Sequence, residues 1–201
     1  MDRESVRPAR TADIPALKRL WAQAFHDEEA FLSLFFTEAF SETAAFCMEE
    51  NGGLVSALYM LPCEMEAHVP KREGLALGYL YALATDEAHR RRGYMGRLLR
   101  RAKEEADRRG FAALFLIPAK PSLFAYYERF GYTLRRSIIS TDTWEAQEEN
   151  SARLCFCTGM EGLYPKAFAE ERGRRYLACV KSLTEDAAAR LPETLYGAIP
   201  V

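Results

Sequence analysis

Between residues 90 and 96 the chain reads Arg90-Arg91-Arg92-Gly93-Tyr94-Met95-Gly96. This basic turn separates two runs of opposite character. Before it, Leu75 to Thr85 is almost wholly apolar and stops at Asp86, the pattern of a buried strand. After it, Tyr94 to Arg109 is amphipathic: Leu98, Leu99, Ala102 and Ala106 share one face, Lys103, Arg108 and Arg109 the other, and Gly110 follows as the terminating residue. A strand, a basic glycine turn and a helix make an anion site. The first amides of a helix lack intrahelical acceptors, glycine admits a close backbone approach, and guanidinium groups add charge and forked donors. The chemistry this serves is the holding of a phosphate. Taken alone, the turn reads more readily as a solvated basic helix start. A Walker-type loop is excluded because no Gly-Lys-Ser/Thr follows. Nucleic-acid binding is disfavoured by a balance of 27 Lys+Arg against 29 Asp+Glu.

A second stretch, Phe124-Ala125-Tyr126-Tyr127-Glu128-Arg129-Phe130-Gly131-Tyr132, follows an apolar run from Ala112 to Ile117. Pro121 or Ser122 opens a short helix there and Gly131 closes it. Leu123, Tyr127 and Phe130 share a helical face, so Tyr127 is either core or a phenol aimed at a site, with Tyr126 as the register alternative. Together the two stretches resemble the GNAT superfamily of acyl-CoA-dependent N-acetyltransferases. The turn matches the family's Arg/Gln-x-x-Gly-x-Gly/Ala from Arg90 onward, except that Met95 stands at the last position and Gly96 follows. The second stretch matches the family's Phe-Tyr-x-x-x-Gly-Phe segment. With Leu116-Ile117-Pro118-Ala119 between them, the combination looks most like the enhanced-intracellular-survival branch, over roughly residues 4–140.

The resemblance implies a GNAT fold of the α/β (α+β) class: a mixed, mostly antiparallel sheet splayed after the fourth strand, flanked by helices, with a C-terminal appendage. It implies acetyl-CoA as co-substrate, no metal, and acetyl transfer to a primary amine of a small molecule, peptide or protein by direct attack in a ternary complex. The amides of Arg91, Arg92, Gly93, Tyr94, Met95 and Gly96 are assigned to the pyrophosphate, Leu83, Ala84 and Thr85 to main-chain pairing with the pantetheine arm, and Tyr127 to the leaving sulfur. A phenol, with a pKa of about 10, protonates a thiolate of about 8.5 somewhat uphill. The base is not readable: His26, Glu28, Glu29 and Glu38 lie near the expected acceptor side and each reads more readily as a solvated surface residue. His68 and His89 lack metal-ligand spacing, and His89 reads better as capping or lining the phosphate turn. The alternative function is a catalytically weak acyl-CoA-binding sensor or partner module.

The elements that must position these residues are legible along the chain. Val6-Arg7-Pro8 reads as a strand. Thr11 or Asp13 caps a helix carrying Ile14, Leu17, Leu20, Trp21 and Ala24, and Phe31, Leu34, Phe35 and Ala39 mark a second helix whose aromatic face reads as core rather than as the wall of an acceptor pocket. Thr43 to Glu49 is a strand, Asn51-Gly52-Gly53 a hairpin turn, and Leu54 to Val69 a long strand with a break at Pro62. Pro70 to Gly74 turns into the strand Leu75–Thr85. Beyond, Ile138 to Trp144 reads as a strand and Glu145 to Ser151 as a linker. This divides the chain into 1–144, the acetyltransferase domain, and 145–201, an extension with a strand at Leu154–Thr158 and helices near Pro165–Arg172 and Tyr176–Leu191.

Length and composition fit this scheme. A chain of 201 residues with 49% hydrophobic content buries a core without disulfide or metal. The five cysteines, Cys47, Cys63, Cys155, Cys157 and Cys179, lack CxxC spacing and read as reduced, which points to the cytoplasm. No signal-peptide pattern or membrane-length apolar run is seen. Neither a membrane nor a nucleic acid is expected as a partner, and assembly into a homo-oligomer is left open.

Overall fold

The computed structural model describes residues 4–67, 74–140, 151–156 and 174–197. In chain order the elements are β1 (Glu4–Pro8), α1 (Ile14–Phe25), α2 (Glu29–Glu38), β2 (Ala45–Glu50), β3 (Gly53–Ala67), β4 (Leu75–Thr85), α3 (Tyr94–Arg108), β5 (Ala113–Leu116), α4 (Phe124–Glu128), β6 (Leu134–Ser140), β7 (Ser151–Phe156), β8 (Arg175–Ser182), α5 (Ala187–Arg190) and β9 (Thr194–Gly197). They form a mixed α/β fold around one sheet of order β1-β2-β3-β4-β5-β8-β6-β9-β7. Strands β1 to β4 are antiparallel neighbours, and β4 and β5 run parallel.

The hairpin between β2 and β3 turns where expected. Asn51 and Gly52 take φ of 51° and 84°, the pair of positive values that a two-residue turn matching strand twist requires. Strand β3 then runs 15 residues without a break at Pro62. The Met60 N–H donates to the Ala44 carbonyl on the β2 side. By alternation the missing N–H of Pro62 faces the same side, where β2 has ended and β7 begins only at the Cys63–Phe156 pair. Proline is tolerated because no partner stands opposite its nitrogen.

Two apolar layers cover the sheet. On one face α1 and α2 pack Leu17, Trp21, Leu32, Phe35 and Phe36 over Tyr59, Tyr79 and Tyr81. Trp21 sits 4.6 Å from Phe35 and 5.1 Å from Tyr59, ring centre to centre, so the aromatic face of α2 is core. On the other face α3 buries Tyr94, Leu98, Leu99, Ala102 and Ala106, joined by Tyr127 of α4 and Tyr132. Among the described residues no disulfide joins Cys47, Cys63, Cys155 or Cys179.

The tail differs from expectation. The segment 176–191 is not a helix: Arg175–Ser182 is a strand lying between β5 and β6, and only Ala187–Arg190 is helical. Its local pattern is compatible with either state, and the demand of two flanking strands for a partner decides it. Strand β6 also starts earlier than expected, at Leu134, and β7 covers Ser151–Phe156. Because β7 pairs with β3 as well as β9, strands β3, β4, β5, β8, β6, β9 and β7 close a ring. The segment expected as a linker and extension thus places three strands in the sheet of the rest. Most of the linker, the Pro165–Arg172 helix, most of the Pro70–Gly74 turn, His68 and Cys157 lie outside the described residues.

Candidate cofactor and acyl-transfer site

Strand β4 pairs with β5 only at Leu77, Gly78 and Tyr79. From Leu80 onward no described strand pairs with its β5 side, which is the splay. Within it Ala82 takes φ +46°, and the register against β3 slips between Ala57 and Tyr59. This bulge re-aims the last residues of the strand. Beyond it the Asp86 N–H donates to the Val55 carbonyl and the Ala84 carbonyl accepts the Ser56 hydroxyl, at 2.9 and 2.8 Å. Ala84 therefore turns its main chain to β3. Leu83 and Thr85, by alternation, turn theirs to the splay. The Thr85 carbonyl there accepts the Arg90 Nε at 3.3 Å.

The turn after β4 is built from both ends. Asp86 caps the short turn Glu87–His89 by accepting the Ala88 N–H, and it binds His89 Nδ1 at 2.6 Å. Arg91 and Gly93 adopt left-handed φ of 66° and 82°. The first bond of α3 is Arg97 N–H to the Gly93 carbonyl, so the amides of Tyr94, Met95 and Gly96 have no acceptor within the helix. Glu50, at the end of β2, holds the turn from behind: Arg92 reaches it at 3.0 Å and His89 Nε2 at 3.2 Å. Glu4 of β1 does the same one turn further on, accepting the Tyr94 hydroxyl at 3.0 Å and Arg97 at 2.5 Å. These bonds hold its carboxyl below the usual range, the Tyr94 hydroxyl first and Arg97 next. The sequence carries no local sign of Glu4 or Glu50, since β1 and β2 bring them to the turn from far along the chain.

Gly96 is a packing glycine. A Cβ there would stand 2.8 Å from the Phe130 ring, so its absence lets the end of α4 lie on the first turn of α3. That contact brings the two stretches together. Tyr127 is 7% exposed, 5.3 Å from the Tyr126 ring and 6.3 Å from the Tyr132 ring. Burial pushes its phenol well above the usual value. Phe130 N–H and Tyr132 N–H both donate to the Tyr127 carbonyl, and Lys181 of β8 donates to the Phe130 carbonyl at 2.6 Å.

Of the residues considered for a base, His26, Glu28 and Glu29 are exposed at the junction of α1 and α2, and Glu38 is exposed at the end of α2. Glu29 is tied to Lys18 at 2.7 Å and to Ser33 at 2.9 Å. Asp27 accepts the Trp21 indole N–H at 2.7 Å. None of the four is brought to Tyr127 by a described contact. Among the described residues no cluster of three or more His, Cys, Asp or Glu is arranged to hold a metal, and no helix is long and apolar enough to cross a membrane.

A family model described as "Acetyltransferase (GNAT) domain" matches residues 5–135. No curated protein matches the sequence. Among solved structures, a probable N-acyltransferase from Enterococcus faecalis aligns with TM-score 0.57 at 13% identity, over 68% of this chain and 34% of its own. Eis1 from Mycobacterium abscessus aligns with TM-score 0.55 at 16% identity, over 67% of this chain and 32% of its own. The ribosomal-protein-S18-alanine N-acetyltransferase of Escherichia coli aligns with TM-score 0.52 at 19% identity, over 92% of this chain and 97% of its own. The chain thus spans about a third of the length of the first two and nearly the whole of the third. At these identities the likeness is one of fold.

Proposed function

Because the chain belongs to the GNAT acetyltransferase family, we propose that it moves an acetyl group from acetyl-CoA to a primary amine, of a small molecule, peptide or protein, by direct attack in a ternary complex. The observation that carries this reading is the convergence of three parts: a glycine turn whose helix amides have no acceptor within the helix, a strand edge beside it that β5 leaves beyond Tyr79, and a buried phenol on the helix whose following Phe130 packs on the first turn of α3. The pyrophosphate is held by the amides from Arg91 to Gly96. The pantetheine arm adds to the open edge of β4 at Leu83–Thr85 as a ligand carrying its own amides. Leu83 and Thr85 supply the main-chain groups, Ala84 their spacing, and the Leu83 N–H polarises the thioester carbonyl.

The neutral amine attacks the thioester carbon, the C–S bond breaks, the proton released by the amine passes to solvent, and Tyr127 meets the departing thiolate sulfur. Burial raises the phenol further above a thiolate, so its part is hydrogen-bond donation to the developing charge more than complete proton transfer. The enhanced-intracellular-survival branch is the proposed affinity within the family.

Release of free CoA thiol is the direct test, measured with acetyl-CoA over a panel of amines. The expected result is amine-dependent release together with a rise in melting temperature on acetyl-CoA binding. No thermal shift at millimolar acetyl-CoA overturns the reading. A shift without release for any amine reduces the protein to an acyl-CoA-binding module.

A further inference from the structure

The charges of α3 sort into two groups. Most are internally paired: Arg97 with Glu4, Arg101 with Glu104 and Glu105, Lys103 with Asp107, and Arg108 and Arg109 with Glu105. Arg100 is exposed and has no carboxylate partner among the described residues. Its guanidinium folds back along the helix, Nη1 standing 3.9 Å from where a Cβ on Gly96 would be. A long side chain on a helix covers the turn before its own Cα, so the charge of Arg100 sits at the first turn of α3. Across the α3–α4 contact, Arg129 is also exposed, unpaired with any described carboxylate, and stacked on the Tyr126 ring at 4.9 Å. Tyr126 in turn lies 5.2 Å from Phe130, the ring that packs on Gly96. Burial raises the Tyr126 hydroxyl above its ordinary value, and the charges of Arg129 and Arg100 act against that rise. The carboxylates nearest in sequence are engaged elsewhere: Glu104 with Arg101 at 3.5 Å, and Glu128 with Arg135.

Two guanidinium groups thus flank one half-buried tyrosine beside a turn that presents helix amides to a phosphate. Their forked donors suit a phosphate monoester, whose charge is denser than that of a bridging diester. We infer that Arg100 and Arg129 form a subsite for the 3′-phosphate of the CoA nucleotide, next to but separate from the pyrophosphate turn. The inference rests on the acetyl-CoA reading above and adds to it a means of telling CoA from its dephosphorylated form.

The test compares acetyl-CoA with 3′-dephospho-acetyl-CoA by calorimetric titration of the full chain and of Arg100→Gln, Arg129→Gln and the double variant. The unaltered protein is expected to bind acetyl-CoA about tenfold or more tightly than the dephospho form, the scale of one or two charge-assisted contacts. Each single variant narrows that ratio. The double variant brings it to about unity while its affinity for dephospho-acetyl-CoA stays near that of the unaltered protein. Equal binding of both ligands by the unaltered protein overturns the subsite and leaves the acetyl-CoA reading standing. So does full discrimination in the double variant. Failure of both ligands to bind overturns both. Because the substituted side chains are exposed, the melting temperature without ligand is expected to be unchanged, which separates lost recognition from lost folding.

Discussion

Tyr127 is a buried core side chain with a proposed role at the leaving sulfur, and its ring and hydroxyl can be separated by experiment. Its ring packs with Tyr126 and Tyr132, so Tyr127→Phe keeps most of the packing and removes only the hydroxyl. Turnover is expected to fall about tenfold to a hundredfold, the lower end of general-acid effects because a thiolate is already a fair leaving group. The Kd for acetyl-CoA changes little, the signature of an interaction made chiefly in the transition state. Tyr126→Phe serves as the register control, and an exchange of phenotypes would move the role by one residue. At the turn, a methyl on Gly93 would meet open space, but the residue sits at φ +82°. Gly93→Val therefore acts through backbone conformation, at roughly 1–3 kcal/mol for a residue forced into that region. Titration should show it weakening acetyl-CoA binding more than Arg100→Ala does, since main-chain approach is lost in one case and a single side-chain contact in the other.

At the scale of elements, α3 follows the proposed cofactor turn and carries a buried charge cluster. Glu105 is 5% exposed and receives Arg108 and Arg109, with Arg101 at 3.8 Å. These partners, Arg108 first, bring its carboxyl down to about 2 from an ordinary 4.5. A folded-state value below the unfolded one means stability that is present above about pH 4.5 and lost as the pH falls towards 2. Glu105→Gln should lower stability at pH 7 by about 2 kcal/mol and flatten the acid limb of the unfolding curve over that window, as read by urea titration at several pH values. Where α3 meets α4, Gly96→Ala drives a methyl to 2.8 Å from Phe130. The expected loss is about 1–3 kcal/mol. Gly96→Ala/Phe130→Leu should recover part of it, a non-additivity that independent sites would not show.

The sequence disclosed those elements whose identity rests on local pattern. Strand β4 has the bounds its apolar run set, Leu75 to Thr85, and α3 ends one residue before the expected Arg109, with Gly110 left-handed at φ 72°. What the sequence concealed depends on distant partners. Arg92 reads as a ligand-facing cation and His89 as a cap or lining of the turn, yet both are held by Glu50, some forty positions earlier in the chain. The segment at Arg175–Ser182 read as helix because nothing local announces the two strands that receive it. The bulge at Ala82 was invisible for the same reason: its φ is set by β3 pairing on one side and by the missing β5 neighbour on the other.

On the whole molecule, removal of residues 174–201 should expose the β5 edge and the Ile138, Ala152 and Leu154 side chains that pack with Ala178, Val180 and Leu195. Loss of a cooperative thermal transition and concentration-dependent precipitation are the expected outcomes, since an unpaired strand edge over an open apolar layer promotes association. Retention of a sharp transition in the shortened chain would show the tail to be dispensable.

The placement of β8 also fixes a sequence in time. It inserts between β5 and β6, and the chain must be made through Ser182 before β5 has its second neighbour. Until then Lys181 is not available to the Phe130 carbonyl, and the turn after α4 is without that tether. The cofactor turn, by contrast, is assembled from β1, β2, β4 and α3, all finished by Arg108. Pairings this far apart in the chain close slowly, because loop entropy must be overcome before their contacts form. During synthesis and refolding, the half that carries the proposed phosphate turn is expected to form ahead of the half that seats the phenol, and ligand protection of the turn amides in pulsed hydrogen exchange should appear before burial of Tyr127.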